Sequence, residues 1–495
     1  MRIWTLAWPI ILSNITVPLL GLVDTAVVGH LPDSRYLAGV TLGATLFSFL
    51  YWGFGFLRMG TTGLVAQAIG RESPSDVRNL LGQSLIMAGV IGTLLIVFGT
   101  PLISLGLWLL DGSVQATPLA REYAEIRLWS APAVLANYAI LGWFLGQQNS
   151  RVTLMILVLT NSVNIVLDLW FVVGLGMTSN GVALASVLAD YSALLFGGYL
   201  VLRQLGHLEG HFQRQRLLAL QAYSALLSVN ANLFVRTLGL LFAMAFFTAQ
   251  GARQGDTVLA ANAVLLQFIM LTSYALDGFA HAAESLVGRA YGRRDWREFA
   301  ATVRATAQFS FWTSAAAALL FALGGNQLIA MLTGLSDVRV TAASYLPWMV
   351  VMPLIAVWSY LLDGVFIGTT AVREMRNSIF AGLAVYLPSW WLCQGLGNHG
   401  LWLAFTLFML TRSAVLIGYY RHYRLTRWRH GLHGRQGRQD RWRHAYLGDG
   451  HDRAHADDPQ LHRQRERRPA ECNGERRRLW RHAADRPAPG LSANR

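Results

Sequence analysis

The feature that most constrains this chain is its succession of long apolar runs. About 20 mostly apolar residues suffice to cross a bilayer as a helix, and twelve such runs precede residue 425. They read as spans 3–29, 36–69, 78–110, 119–147, 151–174, 180–204, 219–249, 257–291, 297–332, 338–370, 374–394 and 398–424. Each is far longer than the ~10 residues of a membrane barrel strand. The predicted class is therefore an all-α integral membrane protein with twelve transmembrane helices. The first run is too long for a signal peptide, carries Asp24 near its end and lacks a small-residue cleavage site, so it reads as a retained helix.

Charge agrees with that reading. Only 14% of the 495 residues are charged, against about 25% in soluble domains, which excludes an ordinary cytosolic globule. The net charge of +14 is unevenly placed: residues 421–495 hold 19 Arg and 9 acidic residues, residues 1–420 hold 22 and 18. The body is close to neutral, so nucleic acid is not an expected partner. There is no Lys, and the Arg-, His- and Gly-rich stretch 425–495 reads as a disordered or frameshifted tail. Cys393 and Cys472 form neither a disulfide framework nor a zinc motif. Alternate loops hold eleven Arg on one side and four on the other. The positive-inside rule then puts both termini of this multi-pass protein in the cytoplasm.

The polar connection 205–218 divides the spans six and six, giving lobes 1–204 and 219–424. Sliding the sequence by 222 positions aligns Leu37-Ala38 with Leu259-Ala260, Gly70-Arg71 with Gly292-Arg293, Tyr123 with Tyr345, Gly142 with Gly364, Phe144 with Phe366 and Arg151 with Arg373. Six helices per repeat is an even number. The two lobes are therefore expected to be related by a pseudo-two-fold axis along the membrane normal, an architecture that builds transporters around a central cavity. The lobes diverge where acids are buried. Asp24 faces Phe246, Asp168 faces Trp390, Asp277 faces Gly55, Glu284 faces Thr62 and Asp363 faces Leu141.

An acid at mid-bilayer costs about 2.5–3.5 kcal/mol on insertion scales and normally faces protein or a watery cavity. A carboxyl group that is charged in one state and neutral in another is what a proton-coupled carrier needs. Asp24 follows Pro9 and Pro18, each of which removes a helix hydrogen bond and permits a hinge, and it reads as a proton site on a bendable helix or as an interfacial cap near Gly29-His30. Asn161, Asn164 and Asp168 share one helix face at i, i+3 and i+7, as a proton site or as a polar seam between helices. Gln267, Tyr274, Asp277, His281 and Glu284 form a second stripe, as a second proton pathway, a cation-binding wall, a cavity mouth, or a local Asp277–His281 pair. Tyr360 and Asp363 set an aromatic ring beside an acid, which suits organic cations. Arg58, Arg236 and Arg412 are placed to snorkel or to neutralise acids. Arg412 stands where the first repeat has Asp190. No Walker loop or catalytic constellation is present, so an ion gradient rather than ATP is the expected energy source and no enzyme activity is expected.

The segments LAWPIILSNITVPLLGLVDTAVVGHL, LGWFLGQQNSR, NSVNIVLDLWFVVGLGM and DGFAHAAESLVGRAYG resemble the multidrug and toxic compound extrusion (MATE) family, most closely its DinF-type branch. The resemblance spans about residues 3–424. It implies cation-coupled antiport by alternating access and efflux of small amphipathic or cationic organic compounds. It also implies that Asp24, Asn164 and Asp168 bind the coupling ion and that Pro9 bends the first helix on protonation. Asp363 is similar to an acid of the sodium-coupled branch, but the helix-7 Glu of that branch has no counterpart in 219–249. The coupling ion is therefore expected to be a proton, with sodium the second candidate, and no other cofactor is implied. The expected state is a monomer in contact with membrane lipid. The alternative is a lipid-linked oligosaccharide flippase of the same superfamily, which would want an Arg-lined cavity.

Overall fold

The computed structural model describes residues 2–29, 34–110 and 114–446. Side chains are described as far as 422, except at 2, 15, 17–22, 24–26, 28–29 and 34. The side chains of Asp24 and Pro18 thus lie outside the described residues. Met1–Trp428 form one compact unit and Arg429–Arg495 a second. Of the expected tail, the segment to Tyr446 continues the last helix, and 447–495 lie outside the described residues.

No strand occurs among the described residues. A hydrocarbon solvent forces this outcome, because a helix satisfies its own backbone polar groups. The first half consists of α1 (Arg2–Gly29), α2 (Ser34–Gly53), α3 (Phe56–Gly70), α4 (Pro74–Val97), α5 (Gly99–Leu110), α6 (Ala116–Leu128), α7 (Ala131–Gly146), α8 (Ser150–Asp168) and α9 (Ser179–His207). A short α10 (Arg214–Leu218) connects it to α11 (Ser224–Ala252), α12 (Asp256–Gly292), α13 (Trp296–Leu332), α14 (Ser336–Gly368), α15 (Val372–Cys393) and α16 (Asn398–Tyr446).

The 222-residue repeat is visible in these boundaries. α12 begins 222 residues after α2 begins and ends 222 after α3 ends; α13 stands in the same relation to α4 and α5. What is one helix in the second half is broken in the first, and local sequence permits each break. Gly53 and Gly55, poor helix formers, flank the α2–α3 break, where the second half has Ala275 and Asp277. Pro101 follows the α4–α5 break and Pro132 the α6–α7 break, each lacking the N–H that would continue the helix. The α6–α7 pair bends by 54°. Its freed carbonyls are met by side chains: Ser130 Oγ donates to Arg127 O at 2.7 Å and Tyr191 OH to Trp129 O at 3.0 Å.

Helix ends repeat as well. Among the described residues, Glu72, Gln148, Arg294 and Thr370 are the non-glycine residues with left-handed φ, at 57°, 63°, 57° and 56°. They form two pairs separated by 222 positions. Each sits in a Schellman turn, where the N–H one residue on reaches five residues back, as from Ser73 to Ala68 O and from Asp295 to Ala290 O.

Small residues set the closest helix approaches. A Cβ on Gly142 would stand 2.4 Å from Arg58 O, and one on its mate Gly364 2.3 Å from Ala280 O. Between the halves, a Cβ on Gly70 would stand 2.2 Å from Arg289 O, and one on its mate Gly292 2.3 Å from Gln67 O. This reciprocal crossing of α3 and α12 is the signature of a pseudo-two-fold relation. Beside it, Gln67 Nε2 donates to Thr370 Oγ1 at 3.2 Å, while the mate of Gln67, Arg289, donates to Gln148 Oε1 at 3.4 Å.

Among the described residues, ten helices are long and apolar enough to span a membrane, or eleven if the bent α6–α7 pair counts as one span. The expected count of twelve is not reached, because the described apolar part of α1 is only Ile3–Asn14. The molecule is a multi-span membrane protein.

Candidate functional site

Among the described residues, four interior polar groups are built around an acidic side chain. The first lies on α8. Asn149 caps this helix by accepting from Val152 N at 3.4 Å, and three turns later its polar face begins. Asn161 Nδ2 donates to Thr16 Oγ1 on α1 at 2.8 Å. Asn164 is buried against α9, and with its amide set to satisfy both neighbours it donates to Asp168 Oδ2 at 3.3 Å and accepts from Ser186 N and Oγ at 3.2 Å. Asp168 is fully buried. Directly after it the chain widens into a π-helical turn, Leu169–Gly174, a distortion frequent at functional sites. The expected face of Asn161, Asn164 and Asp168 is therefore one continuous polar seam joining α8 to α1 and α9.

α1 itself runs as one helix past Pro9 and Pro18. Pro9 is buried, and Ser13 Oγ donates to its carbonyl at 2.7 Å. α1 packs against α8 of its own half and α12 of the other, with Asn14 Nδ2 donating to Tyr274 O at 3.2 Å.

The second group, at the α6–α7 bend, shows in the sequence only as Asp190, the repeat mate of Arg412. Arg127 on α6 pairs with Asp190 on α9 and also donates to Ser130 Oγ. Tyr51 OH lies 2.8 Å from Ser130 Oγ, and the Arg127 guanidinium stacks over the Tyr51 ring at 5.5 Å.

The third group bridges the halves. Arg58 on α3 reaches His281 Nδ1 at 3.4 Å and Glu284 Oε2 at 4.0 Å, both on α12. His281 Nδ1 also lies 3.3 Å from Glu284 Oε2, and Glu284 is fully buried. His281 thus pairs with Glu284 at i+3, not with Asp277 at i−4 as the sequence allowed. Asp277 instead accepts from Ser273 Oγ at 3.4 Å. The α12 stripe grades from an exposed Gln267, through half-buried Tyr274 and Asp277, to the fully buried Glu284.

The fourth group is Asp363 on α14. Its Oδ2 accepts from Arg236 on α11 and, at 3.1 Å, from Arg412 on α16. Asp363 Oδ1 and both Arg Nε atoms are buried without a hydrogen-bond partner. The acid read as open to an organic cation beside Tyr360 is in fact held between two guanidiniums, and Tyr360 makes no hydrogen bond to it. Sequence reasoning names all three charged residues. It cannot join them, because they lie on three helices more than 40 positions apart.

At the positions of Asp24, Asn164 and Asp168 the second half carries Phe246, Tyr386 and Trp390. Phe246 and Tyr386 are in edge contact at 5.3 Å, within a cluster that includes Phe405 and Phe408. One half thus has a polar seam where the other has aromatic core.

The family model described as MatE matches residues 9–170 and 232–390, a spacing close to that of the internal repeat. DNA damage-inducible protein F of Escherichia coli (strain K12) is 44% identical over 430 residues, covering 87% of this chain and 93% of that protein. The probable multidrug resistance protein NorM of Rhodopseudomonas palustris is 26% identical over 453 residues, covering 85% and 91%. Among solved structures, a multidrug resistance MATE family transporter of the MOP superfamily in an outward-facing conformation has a similar fold. Its TM-score is 0.79 at 21% identity, over 86% of this chain and 96% of that one.

Proposed function

Because the chain belongs to the MatE family of membrane transporters, we propose that it is a proton-coupled antiporter that exports small amphipathic or cationic organic compounds by alternating access. It acts in a bacterial inner membrane with both termini cytoplasmic. The observation that carries this reading is the buried Asn164–Asp168 pair, tied to α1 through Asn161 and Thr16 and followed by a π-helical turn. A buried carboxyl group next to an amide can be held either charged or neutral. α1 packs on both halves, so a change of charge at this seam bears on a helix that touches both halves.

Asp24 belongs to the same proposal. In the second half its mate Phe246 touches Tyr386, the mate of Asn164, and the repeat supports grouping Asp24, Asn164 and Asp168 as one ion site. With protons on these acids the outward-open state releases cargo. Discharge to the cytoplasm restores the charges and the cavity reloads. One charge falling through 100 mV supplies about 2.3 kcal/mol, enough for roughly a fiftyfold gradient of cargo. The flippase reading has less support, because the partly buried Arg127 and Arg236 and the buried Arg412 are already paired with carboxylates.

The test is dye efflux from proteoliposomes under an imposed pH gradient, with Asp24→Asn and Asp168→Asn beside the unaltered chain. Gradient-driven efflux by the unaltered protein, lost in both variants at equal incorporation, is the expected result. Undiminished efflux by either variant removes that acid from the mechanism.

A further inference from the structure

Between α13, α14 and α16 lies an open groove of about 440 Å³. Its floor is apolar, with Ala307, Leu361 and Ile417, and its rim carries Arg304 and Arg421 with Trp358 and Tyr420. Both arginines are exposed, and among the described residues neither has an ion-pair or hydrogen-bond partner. The groove opens where helices leave the bilayer. Arg421 is next to the last residue of the apolar span Asn398–His422, and Arg304 is two turns into a 37-residue helix that is longer than a bilayer needs. Trp and Tyr are the residues that settle at this depth.

The first half treats the equivalent place differently. The mate of Arg304 is Gly82, and the space that a side chain there would occupy is filled by the connector. A Cβ on Gly82 would lie 2.7 Å from Leu217 Cδ2 and 3.6 Å from Phe212 Cε1. Gln83 Nε2 fastens the same connector by donating to Arg216 O at 3.0 Å. The second half offers two cations and an apolar floor in place of that seal. The chain beyond the groove is a poor substitute, because residues 422–495 hold 18 Arg against 9 acidic residues, a net charge of the same sign as the rim.

We propose that this groove binds an anionic glycerophospholipid of the adjoining leaflet. Its phosphate lies between Arg304 and Arg421, and an acyl chain runs along Ala307, Leu361 and Ile417. Guanidinium groups suit phosphate oxygens through paired, charge-assisted hydrogen bonds. Basic pockets between membrane helices are general sites for such headgroups. This inference is independent of the transported cargo and of the coupling ion.

The experiment is native mass spectrometry of the full chain released from mixed micelles that contain dioleoyl-phosphatidylglycerol or dioleoyl-phosphatidylcholine. The unaltered protein is expected to retain phosphatidylglycerol at least tenfold better than phosphatidylcholine. R304Q/R421Q should lose most of that preference, and R304K/R421K should keep it. Both arginines are exposed, and melting of the lipid-free variants within 2 °C of the unaltered chain is expected. Equal retention of the two lipids by the unaltered protein overturns the proposal. So does undiminished preference in R304Q/R421Q, loss of preference in R304K/R421K, or displacement of the lipid by millimolar inorganic phosphate.

Discussion

Asp190 and Arg412 occupy the same position in the two repeats, and each closes an ion pair of reversed sign. Asp190 on α9 accepts from Arg127 on α6, and Arg412 on α16 donates to Asp363 on α14. The partners are not themselves repeat mates, since Met349 stands at the place of Arg127 and Leu141 at that of Asp363. What the halves share is a charged tie between the last helix of each repeat and the span two before it. A charge swap that looks arbitrary along the chain is thus explained by an independently placed partner across the interface.

That tie has a measurable asymmetry. Asp363→Asn leaves Arg236 and Arg412 facing each other in the interior without their shared carboxylate. Removing one side of a buried ion pair costs about 3–5 kcal/mol. Arg412→Leu leaves a neutral Arg236–Asp363 pair and should cost less. Thermal unfolding of the purified protein in detergent is expected to rank Asp363→Asn below Arg412→Leu, and the opposite order would contradict the assigned pairing.

The glycine contacts predict a second contrast. Gly142→Ala and Gly364→Ala each force a methyl group to within 2.4 and 2.3 Å of a backbone oxygen. Backbone must then shift, at a cost of about 1–3 kcal/mol each. At Gly89 and Gly198 nothing lies within 4 Å of where the methyl group would stand, and alanine there should be neutral or stabilising by up to about 1 kcal/mol. Melting temperatures of the four variants decide it, and equal losses across the set would deny the close helix crossing.

Most of the architecture is legible because hydropathy and the 222-residue repeat are both written along the chain. The breaks at Gly53–Gly55 and Pro132 are less so, because glycine and proline permit a break without dictating one, and α14 runs unbroken past Pro347 and Pro353. Polar residues on a single helix are also legible. Asn161, Asn164 and Asp168 do form one seam, because helical spacing alone fixes their common face. Pairing between helices is hidden. His281 reaches Glu284 and Arg58 instead of Asp277, and Asp363 takes two guanidiniums. Composition states that such charges exist, but only packing decides which of them meet.

The double occupation of Asp363 bears on the coupling ion. Two guanidinium groups already supply positive charge to this carboxylate, leaving little attraction for a sodium ion. Efflux from proteoliposomes is therefore expected to be unchanged, within twofold, when an inward sodium gradient is imposed at constant pH. Stimulation of tenfold or more by sodium, abolished in Asp363→Asn, would show that the acid is open to the ion after all.

The bridge between halves makes the last prediction. Arg58 comes from α3 of the first half, while His281 and Glu284 come from α12 of the second. Arg58→Met leaves the fully buried Glu284 without its cation, so the variant should lose stability. The loss should be smaller than for Asp363→Asn, because His281 remains 3.3 Å from Glu284 Oε2. Adding Glu284→Gln removes the uncompensated charge and should restore most of that loss, since residues in direct contact are non-additive by about 0.5–3 kcal/mol. The cycle of Arg58→Met, Glu284→Gln and the double variant is read by thermal unfolding. Strict additivity would mean that the 4.0 Å contact carries no energy.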